Sequence, residues 1–300
     1  MGATTDPAHP RWTLRLPAGR RLDLGERPRV AAVVNLTPDS FSDGGRWRDA
    51  AHAVDGALAM LEDGADLVDL GAESTRPGGG VYGAGAREVP AAEELARLLP
   101  VLGPLRAATA APISVDTRKG EVARATLAAG ADLINDISAL ADPELAAAVA
   151  AAGCPVVLMH SRGELASMQR GIRFDDVVDE VRAELGAALG RAAAAGIDRA
   201  QVLLDPGIGF GKTYRQNLLL LRRLDALGAL GRPLVVGASR KAFIGDLTGE
   251  PPAGRLAGSL AAAAWAAAGG AAVVRVHDAG ESARFLEVWT AVRDAAEAAA

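Results

Sequence analysis

The feature that most constrains the fold is an eightfold alternation of two kinds of segment. Short apolar runs, often rich in β-branched residues, lie at 30–34, 66–70, 113–115, 133–137, 156–159, 202–204, 234–236 and 273–276. Stretches rich in Ala, Leu, Glu and Arg lie at 49–63, 90–108, 120–129, 143–152, 175–195, 216–227, 255–268 and 281–298. Strands that are apolar along their whole length are typical of a parallel sheet covered on both faces. Eight strands alternating with eight helices predict an α/β fold, the (β/α)8 TIM barrel.

The chain shows no composition break or linker, so we predict one barrel domain over residues 29–300. An open doubly wound sheet is the alternative, but no Gly-x-Gly-x-x-Gly turn follows the first predicted strand. Residues 1–28 are expected to form a loose tail and a short N-terminal β-hairpin. The hairpin is predicted because 12–16 and 20–24 alternate apolar and polar residues on either side of Pro17 and Gly19.

Composition excludes several classes of protein. A formal net charge of −5 argues against a nucleic-acid partner. No uninterrupted apolar segment is long enough to cross a bilayer, and residues 1–28 carry no apolar stretch of the kind found in signal peptides. The single cysteine, Cys154, excludes a disulfide within the chain and fits a reducing cytoplasm.

Polar residues follow every predicted strand. They are Asn35, residues 73–77, 116–118, Asn135 with Asp136, Met159 with His160, residues 205–212, 239–241, and Arg275 with His277 and Asp278. In a barrel of this kind the loops after the carboxyl ends of the strands build the active site. Any one of these residues has a structural explanation, such as helix capping by Asp136, so only their convergence is specific.

The residue types at these ends indicate a site for a flat heterocycle. Asp116, Asn135 and Asp205 would place carboxylate and amide groups in one pocket, where they could pair with ring N–H donors. Lys241 would complement a carbonyl or a ring nitrogen.

A second group of side chains indicates an anion site. Arg275 and His277 are two residues apart on one strand and therefore point to the same side, and with Asn35 they could bind phosphate. His277 could instead be a hydrogen-bonded core residue. The glycine-rich loop 205–212 resembles a phosphate cradle but lacks the context of a P-loop.

These motifs, taken together, resemble dihydropteroate synthase. The resemblance runs from about residue 30 to 278 through the segments 35–45, 73–78, 114–117, 135–137, 158–160 with Met168 and Gln169, 205–212, 239–241 and 275–278. It implies condensation of 6-hydroxymethyl-7,8-dihydropterin pyrophosphate with p-aminobenzoate in folate biosynthesis, with Mg²⁺ as cofactor.

The resemblance also implies roles for individual residues. The pterin-binding set is Thr75, Asp116, Asn135, Met159, Asp205, Phe210, Gly237, Lys241 and Arg275. The pyrophosphate set is Asn35, Arg275 and His277, with Asn35 also touching Mg²⁺. The residues of the two p-aminobenzoate loops are Phe41, Asp43, Arg76 and Pro77. The catalytic set is Asp116, Asp205, Lys241 and Asp43, the last as a hypothesis for steadying the loops or accepting the amine proton.

The sequence departs from the family pattern at three places: Ala72, Ala242 and residues 161–163. Ala242 stands where many members have a serine that contacts the p-aminobenzoate carboxylate, and a backbone N–H could substitute for it. A pterin-dependent methyltransferase and a non-catalytic pterin-binding paralogue are the alternatives. The Ala-rich helices 255–268 and 281–298 could pack only on the barrel or also on a second subunit, and the resemblance favours a homodimer.

Overall fold

The computed structural model describes residues 11–37, 47–73, 88–163, 168 and 171–295. The first two strands, β1 (Trp12–Arg15) and β2 (Arg21–Leu24), form an antiparallel hairpin. The other strands of the described residues are β3 (Arg29–Asn35), β4 (Leu67–Gly71), β5 (Ile113–Asp116), β6 (Leu133–Asp136), β7 (Val156–Met159), β8 (Val202–Asp205), β9 (Leu234–Val236) and β10 (Ala271–Val276). These eight strands are parallel, lie side by side in chain order, and close into a barrel where β10 pairs with β3. The predicted (β/α)8 barrel and the predicted hairpin are therefore confirmed.

Helices surround the barrel. In the described residues they are α1 (Ala50–Glu62), α2 (Ala91–Ala108), α3 (Gly120–Ala128), α4 (Pro143–Ala152), α5 (Val177–Ala194), α6 (Tyr214–Arg222), α7 (Asp225–Gly228), α8 (Ala242–Thr248), α9 (Leu256–Ala268) and α10 (Ala279–Arg293). None of them combines the length and the apolar composition that a membrane span requires.

Two differences from the expected helices have local causes. The helix expected at 216–227 is two helices, because Arg223 leaves the helical region with φ −115° and ψ 33°. Its start is also two residues earlier, since Thr213 and Gln216 form a reciprocal cap at the amino end of α6. The short helix α8 was not expected; with seven residues it is too short to show a periodic pattern.

The hairpin closes the amino-terminal end of the barrel. Its four leucines, Leu14, Leu16, Leu22 and Leu24, share one buried cluster with residues from the barrel strands. The barrel residues of this cluster include Ala31, Leu67, Leu133, Val157, Leu203, Val235 and Val273. The side-chain amide of Gln201 bonds to the backbone of Arg15 in both directions. Arg15 N donates to Gln201 Oε1 at 3.0 Å, and Gln201 Nε2 donates to Arg15 O at 2.6 Å. The division into residues 1–28 and 29–300 as separate units stays a prediction.

Toward the carboxyl ends of the strands, the same strands contribute a second layer of side chains to the barrel interior. Side chains two residues apart on a strand point to the same face, so the residues that follow the apolar layer by two also face the barrel interior. They are Val33, Asp69, Asn135, Met159, Asp205, Gly237 and Arg275. The interior is therefore apolar beside the hairpin and largely polar toward the carboxyl ends of the strands.

Candidate active site

Four neighbouring strand positions form one side of the polar layer. Asn35 lies opposite Gly71, Gly71 opposite Asp116, and Asp116 opposite Asn135. A Cβ atom on Gly71 would lie 3.9 Å from Asn35 Oδ1 and 3.6 Å from Asp116 Cβ. Because Gly71 has no side chain, the space between the side chains of Asn35 and Asp116 is not filled from β4.

Arg275 reaches across the barrel from β10 to two carboxylates. Its Nη2 donates to Asp116 Oδ2 at 2.9 Å, and its Nε donates to Asp69 Oδ2 at 2.5 Å. The nearby carboxylates raise the pKa of Arg275 against the opposing effect of burial. The guanidinium is therefore a permanent charge, and its orientation is fixed at two of its nitrogens.

Asp69 was not among the predicted site residues. It is 2 % exposed, and besides Arg275 it accepts a long hydrogen bond from Asn135 Nδ2 at 3.4 Å. The signal that could have found it is a carboxylate in the middle of an otherwise apolar buried strand, since such a charge requires a partner.

Burial changes the protonation of Asp116. Removal from water raises the pKa of Asp116 to about 7, the charge of Arg275 opposes this shift, and the charge of Asp69 adds to it. A ligand that donates N–H groups to this carboxyl group would favour its charged form.

Asp205 occupies the end of β8, opposite Met159. Its Oδ1 accepts a hydrogen bond from Gly207 N at 2.7 Å. Burial raises the pKa of Asp205, and the charges of Lys241 and Arg275 act in the opposite direction.

An apolar slot lies beside these polar groups. Met159 and Phe210 are buried in one cluster with Ile137 and Met168. Lys241 Nζ lies 4.2 Å from the centre of the Phe210 ring, a cation–π distance. A Cβ on Gly237 would lie 3.8 Å from Arg275 Cβ. Glycine at this position therefore leaves the space beside Arg275 open.

His277 contributes to the predicted anion site as a neutral group. Its Nδ1 lies 3.2 Å from Ser239 Oγ, which also accepts from His277 N at 3.2 Å. Burial, reinforced by the charge of Arg275, lowers the pKa of His277 to about 3. In this state Arg275 offers a phosphate group a permanent positive charge, whereas His277 offers it a neutral hydrogen-bonding group.

Several predicted strand-end residues support the structure instead of facing the pocket. Asp136 accepts hydrogen bonds from Ser138 N and Leu140 N in the turn after β6; it does not cap a helix, because the residue that caps α4 is Asp142. Glu73 accepts from Val89 N at 2.9 Å and pairs with Arg118.

Five predicted site residues, Phe41, Asp43, Thr75, Arg76 and Pro77, lie outside the described residues. Ala242 is the first residue of α8, and the substitution of a backbone N–H for the missing serine stays a prediction.

Comparisons with known proteins agree with this geometry. The family model for pterin binding enzymes matches residues 31–277. The dihydropteroate synthase of Escherichia coli strain K12 is 43% identical over 279 residues, which cover 93% of this chain and 96% of that protein. The chain belongs to the dihydropteroate synthase family. Its sequence-based assignment to these transferases of folate biosynthesis is confirmed.

Two solved structures of Xanthomonas albilineans dihydropteroate synthase are similar over nearly the whole chain. The structure with 4-aminobenzoic acid has a TM-score of 0.86 and 47% identity, and covers 96% of this chain and 100% of that one. The complex with 7,8-dihydropteroate has a TM-score of 0.82 and 45% identity, with the same coverage.

The neutral state of buried His277 predicts a pH dependence of stability. The unfolded chain binds a proton at this histidine below about pH 6.5, whereas the folded protein does not until about pH 3. Unfolding is therefore favoured as the pH falls, by about 1.4 kcal/mol per pH unit for this one group. We expect His277→Asn to lose correspondingly less stability than the parent between pH 6 and 5, measured as the free energy of unfolding in urea. Equal losses in both proteins would contradict the assignment.

Proposed function

We propose that the chain condenses 6-hydroxymethyl-7,8-dihydropterin pyrophosphate with p-aminobenzoate to give 7,8-dihydropteroate and pyrophosphate. The observation that carries this proposal is the arc of Asp116, Asn135 and Asp205, all buried, beside an apolar slot and the two cations Lys241 and Arg275. The family membership and the ligands of the Xanthomonas albilineans structures support it.

The arc suits the edge of a dihydropterin. Asp116 and Asp205 can accept hydrogen bonds from ring and amino N–H groups, while Asn135 can both donate and accept. Lys241 can donate to the pterin carbonyl or a ring nitrogen. Met159 and Phe210 are placed to contact the faces of the ring system.

The carboxylates also suit a dissociative reaction. The bond between the pterin methylene carbon and the pyrophosphate oxygen breaks, and its electron pair leaves with the oxygen. The methylene cation that remains is stabilised by Asp116 and Asp205, and the charge of the leaving group by Arg275. The p-aminobenzoate nitrogen then attacks the methylene carbon with its lone pair and loses a proton. Asp43 stays a hypothesis for the group that receives that proton.

Asn35 fits a substrate-held Mg²⁺ ion better than a dedicated metal site. In the described part of the chain no three His, Cys, Asp or Glu side chains cluster as a metal site. Mg²⁺ is commonly held by one or two protein oxygens together with substrate phosphates and water. The amide oxygen of Asn35, at the end of β3 beside Asp116, would be such a ligand. When bound there, Mg²⁺ would neutralise charge on the pyrophosphate.

The reaction is tested by measuring pyrophosphate release and dihydropteroate formation with and without p-aminobenzoate. We expect the two products in equal amounts, and a loss of about 10²- to 10³-fold in kcat/KM for Arg275→Ala or Lys241→Ala, because each removes a charge from the site. Arg124→Ala, on the exposed side of α3, is the control and should retain activity. Pterin binding without condensation would favour the non-catalytic paralogue instead.

The role of Asn35 is tested by the Mg²⁺ dependence of the same rate. Asn35→Ala removes the oxygen ligand, so we expect the Mg²⁺ concentration for half-maximal rate to rise about tenfold or more. Asn35→Asp keeps an oxygen at that position and should retain the parent's Mg²⁺ dependence or strengthen it. The assignment is wrong if Asn35→Ala and the parent respond to Mg²⁺ alike.

We also propose that the protein is a homodimer that uses the outer faces of α9 and α10. Trp265 on α9 is 59% exposed, and Val288 and Val292, one turn apart on α10, are 65% and 72% exposed. Large exposed apolar side chains on neighbouring helices mark interaction surfaces. The cytoplasmic location stays a prediction.

The dimer is tested by the molar mass in solution. We expect Val288→Glu combined with Trp265→Glu to convert a dimer into a monomer in light scattering, because each buries a charge at the contact. Leu99→Glu, on α2, is the matched control, since Leu99 is also an exposed apolar residue on a helix. A parent protein that is monomeric at micromolar concentration would contradict the proposal.

A further inference from the structure

Lys212 is a buried cation that the proposed reaction does not use directly. It is 2 % exposed, and its Nζ lies 2.8 Å from His160 Nδ1, 3.0 Å from Gly207 O and 2.9 Å from Phe210 O. An ammonium group has three N–H donors, and each has one of these acceptors. Burial lowers the pKa of Lys212 to about 7, and the charge of Asp205 opposes the shift. Below that pH the group can make all three hydrogen bonds.

The two carbonyl acceptors belong to the loop that carries part of the pterin slot. Gly207 N donates to Asp205 Oδ1 at 2.7 Å, and Phe210 N donates to Gly207 O at 3.1 Å. Lys212 therefore donates hydrogen bonds to two residues of this loop: Gly207, whose N–H orients the Asp205 carboxylate, and Phe210, whose ring belongs to the slot. Lys241 also contacts this loop, with its Nζ over the Phe210 ring.

The third acceptor ties the loop to β7. His160 Nε2 lies 3.0 Å from Glu184 Oε2. Since Nδ1 accepts from the lysine, Nε2 must carry the hydrogen and donate to Glu184. Burial, together with the charge of Lys212, lowers the pKa of His160 to about 2, so His160 remains a neutral acceptor. Its backbone N also donates to Asp205 O at 2.8 Å.

The loop has little freedom to adjust on its own. At Gly207, where φ is +66°, a Cβ would lie 1.8 Å from His160 O. At Gly211, where φ is +60°, a Cβ would lie 2.6 Å from Arg162 O. The backbone of the loop thus packs directly on the backbone after β7, at the level where Lys212 makes its hydrogen bonds.

We propose that Lys212 is a positioning residue for the dihydropterin substrate: its ammonium group, held beneath the loop 205–212, aligns the Asp205 carboxylate and the Phe210 ring with the pterin slot. This inference rests on the proposed function. A positioning role differs from a purely structural one, and Arg232 is a buried cation with a purely structural role for comparison. Arg232 is also buried and donates to Val202 O at 2.9 Å and Ala200 O at 2.8 Å, at the opposite end of the same strand.

The test compares Lys212→Met with Arg232→Met. Each variant removes a buried cation from backbone carbonyls at one end of β8, so both should lose stability in urea unfolding. At pH 6.5 we expect Lys212→Met to raise the Kd for 6-hydroxymethyl-7,8-dihydropterin pyrophosphate, measured by calorimetry, and its KM by about ten- to a hundredfold. The KM for p-aminobenzoate should change less than twofold. Arg232→Met should keep the parent's Kd.

Two results would overturn the inference: an unchanged Kd in Lys212→Met, or an equal rise in Arg232→Met. If Lys212→Met does not fold, Lys212→Gln decides, because its neutral amide keeps N–H donors at this buried position while removing the ammonium group that makes three hydrogen bonds there. A several-fold weaker Kd supports the inference, and an unchanged Kd overturns it. A parent that binds the dihydropterin without turning it over would contradict the proposed reaction alone, since the comparison of Kd values still decides the role of Lys212.

Discussion

The ion pairs of Arg275 with Asp69 and Asp116 are the interaction on which the pocket depends. Three buried carboxylates face the polar layer of the barrel, and without a cation among them their mutual repulsion and loss of hydration would favour protonation. Arg275 reduces that cost by bonding to two of them at once, from a strand that lies two places from β4 and three places from β5 around the barrel. Buried pairs of this kind add little net stability compared with apolar residues. Their presence is therefore better explained by the proposed function, in which these charges surround a cationic intermediate.

The apolar end of the barrel makes these charges effective. The leucines of the hairpin and the first interior layer exclude water from below the pocket. Electrostatic interactions are stronger where the effective dielectric constant is low, so Arg275 acts strongly on Asp116 and on the protonation of His277. Strand β10 contributes to both layers: Val273 lies in the apolar layer, and Arg275, two residues later, lies in the polar one. The hairpin thus covers the apolar layer that lies beneath the polar one.

The sequence predicted what depends on local pattern. Apolar runs of three to five residues and alanine-rich helices predicted the barrel, which is confirmed. The polar residues at the strand ends predicted Asp116, Asn135, Asp205, Lys241 and Arg275 as site residues, and their roles stay predictions. Contacts between distant segments were not predicted. Asp69 and Arg275 are 206 positions apart, and nothing local to residues 67–71 shows that the aspartate in this run meets an arginine. Whether a strand-end residue faces the pocket also depends on its neighbours, which is why Asp136 and Glu73 support loops.

Residue type alone does not assign a role to Lys212 or to Lys241. Both follow barrel strands, and both lie close to Phe210, one beside its carbonyl and the other over its ring. For Lys212 the three acceptors are neutral groups of the protein, so its donors are already satisfied before any ligand arrives. Lys241 instead stands at the start of α8, on the slot side of the same aromatic ring. The geometry of the acceptors, and not the charge itself, is what distinguishes the positioning role proposed for Lys212 from the ligand contact proposed for Lys241.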